Sequence, residues 1–262
     1  MTGKETTGRT IKVTLILCLV CSILVSSVVV LLRPLQKRNV QLDIERVILK
    51  LTEISKNPYE LSEKQVASLY KQITPKLVDL TTGKFIETTA NGNDVNSYNQ
   101  RTATKDPRLS VALEQKQDIA NIKREPLVAK VYVVYRDKKI DTIVLPISGY
   151  GLWSTMYGFI ALESDLNTVR GMSFYEQGET PGLGGEVDNP QWKASWKGKE
   201  VYNNKGDVAL HLVKIKNQNK QQHEIDALSG ASMTSAGVSN LIKFWMSDSG
   251  FKPLLTHLKG ES

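Results

Sequence analysis

The sequence of 262 residues is short of the side chains that most often carry chemistry unaided. It has 2 cysteines, Cys18 and Cys21, and both fall inside one apolar run. The rest of the chain therefore forms no disulfide and no thiolate-ligated cluster. Its 3 histidines, His211, His223 and His257, lie far apart, with no metal-spaced pair among them. No glycine run matches a dinucleotide fingerprint with its downstream acid. A Gly-x-Ser-x-Gly elbow is missing too, since Gly230-Ala-Ser-Met-Thr fails at its last position. Nothing singles out a pair of catalytic carboxylates. The sequence thus points to no catalytic residue and no metal ligand. There is also no basic block: 34 Lys and Arg against 27 Asp and Glu leave a net charge of +7, spread along the chain. Without a stripe that concentrates the charge, nucleic acid is not an expected partner. A mildly basic face suits an anionic membrane surface instead. No internal repeat is present.

What the chain does have is a globular composition, with 40% hydrophobic and 23% charged residues. It also has an uncharged run from Val13 to Leu32, rich in Val, Leu and Ile. As a helix that length crosses a hydrocarbon core. The alternative is a cleaved signal peptide, but the run exceeds a usual signal core and no small-x-small site follows before Arg33-Pro34. A retained anchor in the lipid bilayer is expected. Arg9 and Lys12 before it and Arg33, Lys37 and Arg38 after it leave the orientation open. The Cys-x-x-Cys spacing within the run invites a redox or metal reading, yet a lone pair at lipid depth lacks further ligands. Small polarisable hydrophobes on a transmembrane helix fit better.

Beyond the anchor, Leu42, Val47, Ile48, Leu51 and Ile54 repeat at helical spacing. Ser62 to Tyr70 reads as a second helix with Ser62 and Gln65 as a capping box. Thr88 to Asp106 is polar, rich in Asn and Thr, and reads as a loop. Strands are expected from Leu127: Val128–Tyr135 and Ile140–Pro146 about an Asp137-Lys-Lys turn, then Gly158–Glu163, Thr168–Tyr175 and Asp207–Ile215. Ala236–Ser247 and Pro253–Leu258 read as closing helices. Strands in the middle and helices at both ends predict an α+β domain with a curved antiparallel sheet. The expected organisation is a tail at 1–12, a transmembrane helix at 13–32, a helical membrane-proximal region and loop at 33–125, and the main domain at 126–262.

The most informative stretch is Asp226-Ala-Leu-Ser-Gly-Ala-Ser-Met-Thr-Ser. Small and hydroxyl-bearing residues stand beside one acid, with no His, Cys or Lys to make a nucleophile. It reads as a site that is modified. It resembles the flavinylation motif of covalent flavoproteins, Asp-x-x-Ser/Thr-Gly-Ala-Thr/Ser, in which a flavin transferase esterifies the last hydroxyl with the phosphate of FMN. The aligned acceptor is Ser232, after Ser229, Gly230 and Ala231. Thr234 is a second competent hydroxyl. A phosphoester needs an aliphatic hydroxyl, small neighbours that let the backbone approach, and N–H groups at a helix start to stabilise the anion. Gly230 is free to take positive φ in the turn. Asp226 would serve the modifying enzyme or cap the turn. An unmodified Ser/Thr-rich N-cap is the plainer alternative.

Three further segments bear on that reading. In Ser148-Gly-Tyr-Gly-Leu-Trp-Ser-Thr, the glycines permit a tight turn at a strand end. There Trp153 and Tyr157 are large flat groups that could pack against a flavin ring, Ser154 and Thr155 offer hydroxyls for its polar edge, and Leu152 is a further candidate contact. In Gly178-Glu-Thr-Pro-Gly-Leu-Gly-Gly-Glu, Glu179 and Thr180 flank a turn whose N–H groups at Gly182, Leu183 and Gly184 suit the isoalloxazine carbonyls or N5. Leu183 would cover one ring face. In the strand bearing Lys214 and Lys216, Lys214 could balance a phosphate or a reduced flavin. Each segment alone reads equally as an ordinary loop or a solvated lysine.

Together and in this order, the anchor, the two glycine loops and the Ser-Gly-Ala-Ser run resemble the NqrC family, the flavin-bearing members of bacterial Na+-translocating NADH:quinone reductases, over nearly the whole chain. The corresponding flavoprotein of the Rnf complex is a related domain type. The resemblance implies a transmembrane helix followed by an FMN-binding domain at 126–262. It implies FMN held covalently as a phosphoester by a dedicated flavin transferase, and a soluble domain on the periplasmic side of the inner membrane. It implies a one-electron relay between an iron–sulfur centre and a second flavin, within a six-subunit complex that oxidises NADH, reduces ubiquinone and exports Na+. One departure stands out: the family's usual acceptor is Thr, and Ser232 occupies that place. An Rnf-type electron-transport protein and a structural or assembly protein without flavin are the alternatives.

Overall fold

The computed structural model describes residues 7–260. The chain falls into two units that divide between Ile44 and Glu45. Helix α1, Thr7–Leu51, supplies nearly all of the first unit. Among the described residues it is the one helix long and apolar enough to cross a membrane. Its side chains from Val13 to Leu32 are exposed, as a lipid-facing surface requires. Pro34 follows this run and lies inside the helix, where its missing N–H removes one backbone bond. Of the tail expected at 1–12, residues 1–6 lie outside the described residues, and the helix begins at Thr7.

The last turns of α1 belong to the second unit, where Val47, Ile48, Leu49 and Leu51 are buried. Helix α2, Glu63–Tyr70, opens as its sequence suggests: Gln65 Oε1 accepts from the Ser62 N–H at 3.0 Å and from Ser62 Oγ at 2.8 Å. Short strands follow, β1 (Thr74–Asp79) and β2 (Lys84–Ile86), then helix α3 (Gln100–Ala103). A small hairpin-like pair comes next, β3 (Ser110–Ala112) with β4 (Arg124–Pro126). Four longer strands form the centre: β5 (Val128–Arg136), β6 (Lys139–Tyr150), β7 (Thr155–Glu163) and β8 (Val169–Glu176). Asp137 and Lys138, both at positive φ (50° and 64°), turn β5 into β6 as a primed hairpin turn requires. After β8 come α4 (Pro190–Ala194), β9 (His211–Val213), β10 (Glu224–Asp226), α5 (Ser232–Trp245) and α6 (Lys252–Gly260).

The main sheet has the order β2-β1-β5-β6-β7-β8, and every adjacent pair is antiparallel. The α+β class and the antiparallel sheet are as the sequence predicts. The sheet is open, with β2 and β8 as its edges. Both faces are covered. Val131, Val133, Ile143, Leu145, Met156, Ile160 and Met172 share one core with α5 and α6. The alternate residues meet the N-terminal helices: Tyr132 lies edge-on to Phe159 at 5.7 Å and to Tyr70 of α2 at 6.4 Å. Two buried faces explain why the central strands read as nearly continuous apolar runs.

Several elements differ from the sequence reading. Strands start at Thr74 rather than Leu127, because β1 pairs with β5 in register from Thr74↔Val133 to Asp79↔Val128. The polar stretch 88–106 contains α3, whose Asn99 cap accepts from the Thr102 N–H. Arg101 on α3 reaches the β7–β8 edge, 3.8 Å over the Tyr157 ring and paired with Glu176. The strand expected at Asp207–Ile215 shortens to His211–Val213 and runs parallel to β10. Helix α5 begins at Ser232, one turn before the expected Ala236.

Glycines set where α5 lies. A Cβ at Gly237 would stand 2.5 Å from the Tyr150 carbonyl, and one at Gly149 would stand 2.6 Å from Leu241 Cβ. Only glycine at both positions lets the helix rest on the end of β6. Trp245 Nε1 fastens the far end by donating to the Ser148 carbonyl at 2.7 Å.

Candidate functional site

Ser232 is the first residue of α5 and is exposed. Ala231 occupies the N-cap, and no side chain caps the helix start. Backbone N–H groups are therefore left toward Ser232, and the helix dipole favours an anion there. The turn before it is held from within. Ser235 Oγ accepts from the Leu228 N–H at 2.9 Å and donates to the Ala231 carbonyl at 2.9 Å. Gly230 takes φ +71°, and a Cβ there would stand 3.0 Å from Leu183 Cδ2, so the second glycine loop lies against this turn.

Thr234, two residues on, is in a different situation. It is 1% exposed, and its Oγ1 donates to Glu179 Oε2 at 2.6 Å. Glu179, itself buried, also accepts from the N–H groups of Leu152 (3.0 Å), Trp153 (3.0 Å) and Ser154 (3.2 Å). One carboxylate thus ties the first glycine loop, the second glycine loop and the first turn of α5 to each other. Burial alone would raise its pKa. The Thr234 hydroxyl and the three backbone donors outweigh that and hold it below the ordinary carboxylate range. The approach is tight: a Cβ at Gly151 would lie 2.6 Å from Glu179 Oε1, and one at Gly184 would lie 2.5 Å from Thr234 Oγ1.

The other sequence-derived candidates divide into those that face outward and those already engaged by protein. Trp153, Leu183 and Met233 expose 66%, 44% and 64% of their surface, one large apolar side chain from each segment around Ser232. Thr180 and Ser229 are exposed, and Leu152 and Thr155 are half-buried. Gly182, at φ +75°, has open space where a side chain would stand. The Leu183 N–H, expected to face a ligand, instead bonds the Thr180 carbonyl at 3.1 Å, as does that of Gly185 at 2.9 Å. Ser154 Oγ accepts from the Gly178 N–H at 2.7 Å. Lys214 is exposed just past β9. Asp226 does not cap the turn. Its carboxylate pairs with Lys216 Nζ at 2.6 Å, and its carbonyl accepts from Trp192 Nε1 at 2.9 Å.

Sequence reasoning passed over Ser235 and the Lys216–Asp226 pair. A hydroxyl three residues beyond the candidate acceptor was the available signal for the first. The second needs the parallel β9–β10 pairing that brings the segments together. Among the described residues, no cluster of His, Cys, Asp and Glu could hold a metal ion. The residues do fit a phosphate-bearing aromatic group. An exposed aliphatic hydroxyl stands at an uncapped helix start, glycine turns leave room beside it, and exposed apolar side chains offer a flat group contact.

Comparison with known proteins bears on the same segment. A family model described as an FMN-binding domain matches residues 151–247, from the first glycine loop through α5. The C subunit of the Na(+)-translocating NADH-quinone reductase of Pseudomonas aeruginosa is 47% identical, with 100% of each chain covered. The protein of the same name from Vibrio parahaemolyticus is 42% identical over 98% of this chain and 97% of its own. The crystal structure of Shewanella oneidensis NqrC aligns with TM-score 0.73 at 36% identity, covering 82% of this chain and 96% of that one. The crystal structure of the same reductase component from Parabacteroides distasonis aligns with TM-score 0.63 at 27% identity, covering 86% and 97%.

Proposed function

The chain belongs to the NqrC family of Na(+)-translocating NADH-quinone reductase components, and on that premise we propose that it carries FMN as a phosphoester on Ser232 and relays single electrons within that complex. It is a membrane flavoprotein subunit of the Na+-translocating NADH:quinone oxidoreductase and acts with the other subunits of that complex. Bound FMN supplies the one-electron chemistry, receiving from an iron–sulfur centre and passing toward a second flavin and ubiquinone, with Na+ export coupled in the six-subunit whole. The chain's own residues hold and surround the group.

The observation that carries the covalent assignment is the contrast between the two hydroxyls. Ser232 is exposed at the uncapped start of α5, whereas Thr234 is buried and bonded to a carboxylate. A flavin transferase reaching the surface meets the first and not the second. N–H groups at the helix start stabilise the phosphate. Trp153, Leu183 and Met233 shield the ring, and Lys214 offsets negative charge. In this reading residues 126–262 form the flavin-bearing domain, curved to seat the group. Residues 33–125 lie membrane-proximal and contribute β1 and β2 to the sheet. The domain faces the periplasm, with α1 in the inner-membrane bilayer.

The test is co-expression of the full chain with a flavin transferase, followed by denaturation and detection of fluorescence that comigrates with the polypeptide. Peptide mass spectrometry then locates the adduct. FMN on the peptide that contains Ser232 supports the assignment. An unmodified chain, with the transferase active on another substrate, returns the protein to a structural or assembly role.

A further inference from the structure

We infer that Glu179 is a positioning residue for the flavin, acting from beneath the site by holding the two glycine loops and the start of α5 in one fixed arrangement. This rests on the reading that Ser232 bears FMN. The sequence sets Glu179 at the edge of a turn suited to a flavin, and its side chain is directed into the protein. It is 5% exposed, and its oxygens accept from Leu152, Trp153 and Ser154 N–H and from Thr234 Oγ1.

The three amides are consecutive and converge on one carboxylate. That convergence fixes the backbone on which Trp153 projects outward. Thr234 lies on the first turn of α5, so the same carboxylate sets where Ser232 stands relative to Trp153. Gly151 and Gly184 are the positions at which a Cβ would strike the Glu179 carboxylate, so the backbone is shaped around this group. Glutamine is not equivalent here. Its oxygen can still stand where all three amides reach one acceptor, but that neutral oxygen accepts more weakly than a carboxylate, and its nitrogen takes the place of the oxygen that accepts from Thr234 Oγ1. A carboxylate also places a fixed negative charge under the site. Reduction adds negative charge to a flavin, so that charge opposes it.

The experiment uses the full chain co-expressed with a flavin transferase, comparing wild type with Glu179→Gln and Thr234→Val. Two quantities are read: the flavin midpoint potential, and amide hydrogen exchange at residues 152–154. For Glu179→Gln we expect the Ser232 adduct to persist and its potential to rise. At the wild-type midpoint this is an increase of at least threefold in the reduced-to-oxidised ratio. The amides of Leu152, Trp153 and Ser154 should exchange at least tenfold faster. Thr234→Val removes one hydrogen bond and keeps the charge, so exchange should quicken while the potential moves less. Unchanged potential with unchanged exchange in Glu179→Gln overturns the inference. If Glu179→Gln does not fold, Thr234→Val decides through exchange at 152–154, and no change there overturns it. Wild type without flavin defeats the assignment of FMN to Ser232, and the exchange measurement on the same chains still decides whether Glu179 holds the loop.

Discussion

Replacing Gly237 by alanine sets two opposing effects against each other. Gly237 lies inside α5, where alanine is favoured over glycine by about 1 kcal/mol. Against this, the added Cβ would stand 2.5 Å from the Tyr150 carbonyl oxygen and 3.1 Å from Gly151 Cα. Both are backbone atoms at the end of β6, and neither can rotate away as a side-chain tip can. To reach ordinary contact the helix must move off the sheet by about 0.9 Å, and it does so against a core that includes Val238, Leu241 and Ile242. Overpacking of this kind costs about 1–3 kcal/mol. Where the obstacle is backbone the upper part of that range applies, which leaves a net loss of about 1–2 kcal/mol. For a domain of this size that lowers the melting temperature by roughly 2–8 °C. The assay is thermal unfolding of the detergent-solubilised chain by circular dichroism. Displacing α5 also moves Ser232 away from the first glycine loop, so the yield of covalent flavin should fall along with stability. A Gly237→Ala chain that melts at or above wild type would mean that helix propensity prevails and that the close approach of α5 to β6 is not a constraint on the fold.

Further outcomes follow from the same geometry. Ser232→Ala should abolish the flavin adduct and Thr234→Ala should retain it, as read by peptide mass spectrometry; an adduct that survives on Ser232→Ala refutes the acceptor assignment. Burial pushes Glu125 up from its ordinary 4.5 to about 7, so the folded chain binds more protons than the unfolded one between those values, and stability falls as pH rises through that window. Glu125→Gln should therefore gain melting temperature over wild type more at pH 8 than at pH 5, and the reverse order would contradict the burial argument. The Glu179 carboxyl is shifted the other way, so its contribution is present above the ordinary carboxyl range and is lost as pH falls through its lowered value. The melting-temperature gap between wild type and Glu179→Gln should accordingly narrow on acidification from pH 7, and a gap that widens would show the sign to be wrong.

The sequence revealed what local patterning controls. The apolar run, the β5–β6 hairpin with its Asp-Lys turn and the body of α5 all carry strong short-range signals, and each stands where expected. Strand β1 was hidden because Thr74-Pro-Lys-Leu-Val-Asp offers only two buried residues, and its register is dictated by a partner 49 to 59 positions away. Helix α3 was hidden because a single turn capped by Asn99 in a Thr- and Asn-rich stretch looks like any polar loop. At the candidate site, the motif pointed to Ser232, but no pattern could say which hydroxyl is exposed. The acid in the second glycine loop was visible and its direction was not. Whether a glutamate beside glycines faces water or gathers backbone donors depends on a loop 25 residues earlier folding back beneath it.

The two-sided burial of the sheet has a consequence for biogenesis. One face of β5–β8 is covered by the end of α1 and by α2, which are translated before the strands; the other is covered by α5 and α6, translated after them. A nascent chain can dock its membrane-proximal helices as soon as the strands emerge. The opposite face is not fully covered until synthesis has passed α6, at Gly260. Ser232 acquires its exposed place at a helix start only when that last layer settles. On the proposed assignment, attachment of FMN to Ser232 would be a readout of completed folding, and a chain stalled with one face uncovered would present that hydroxyl in no defined setting.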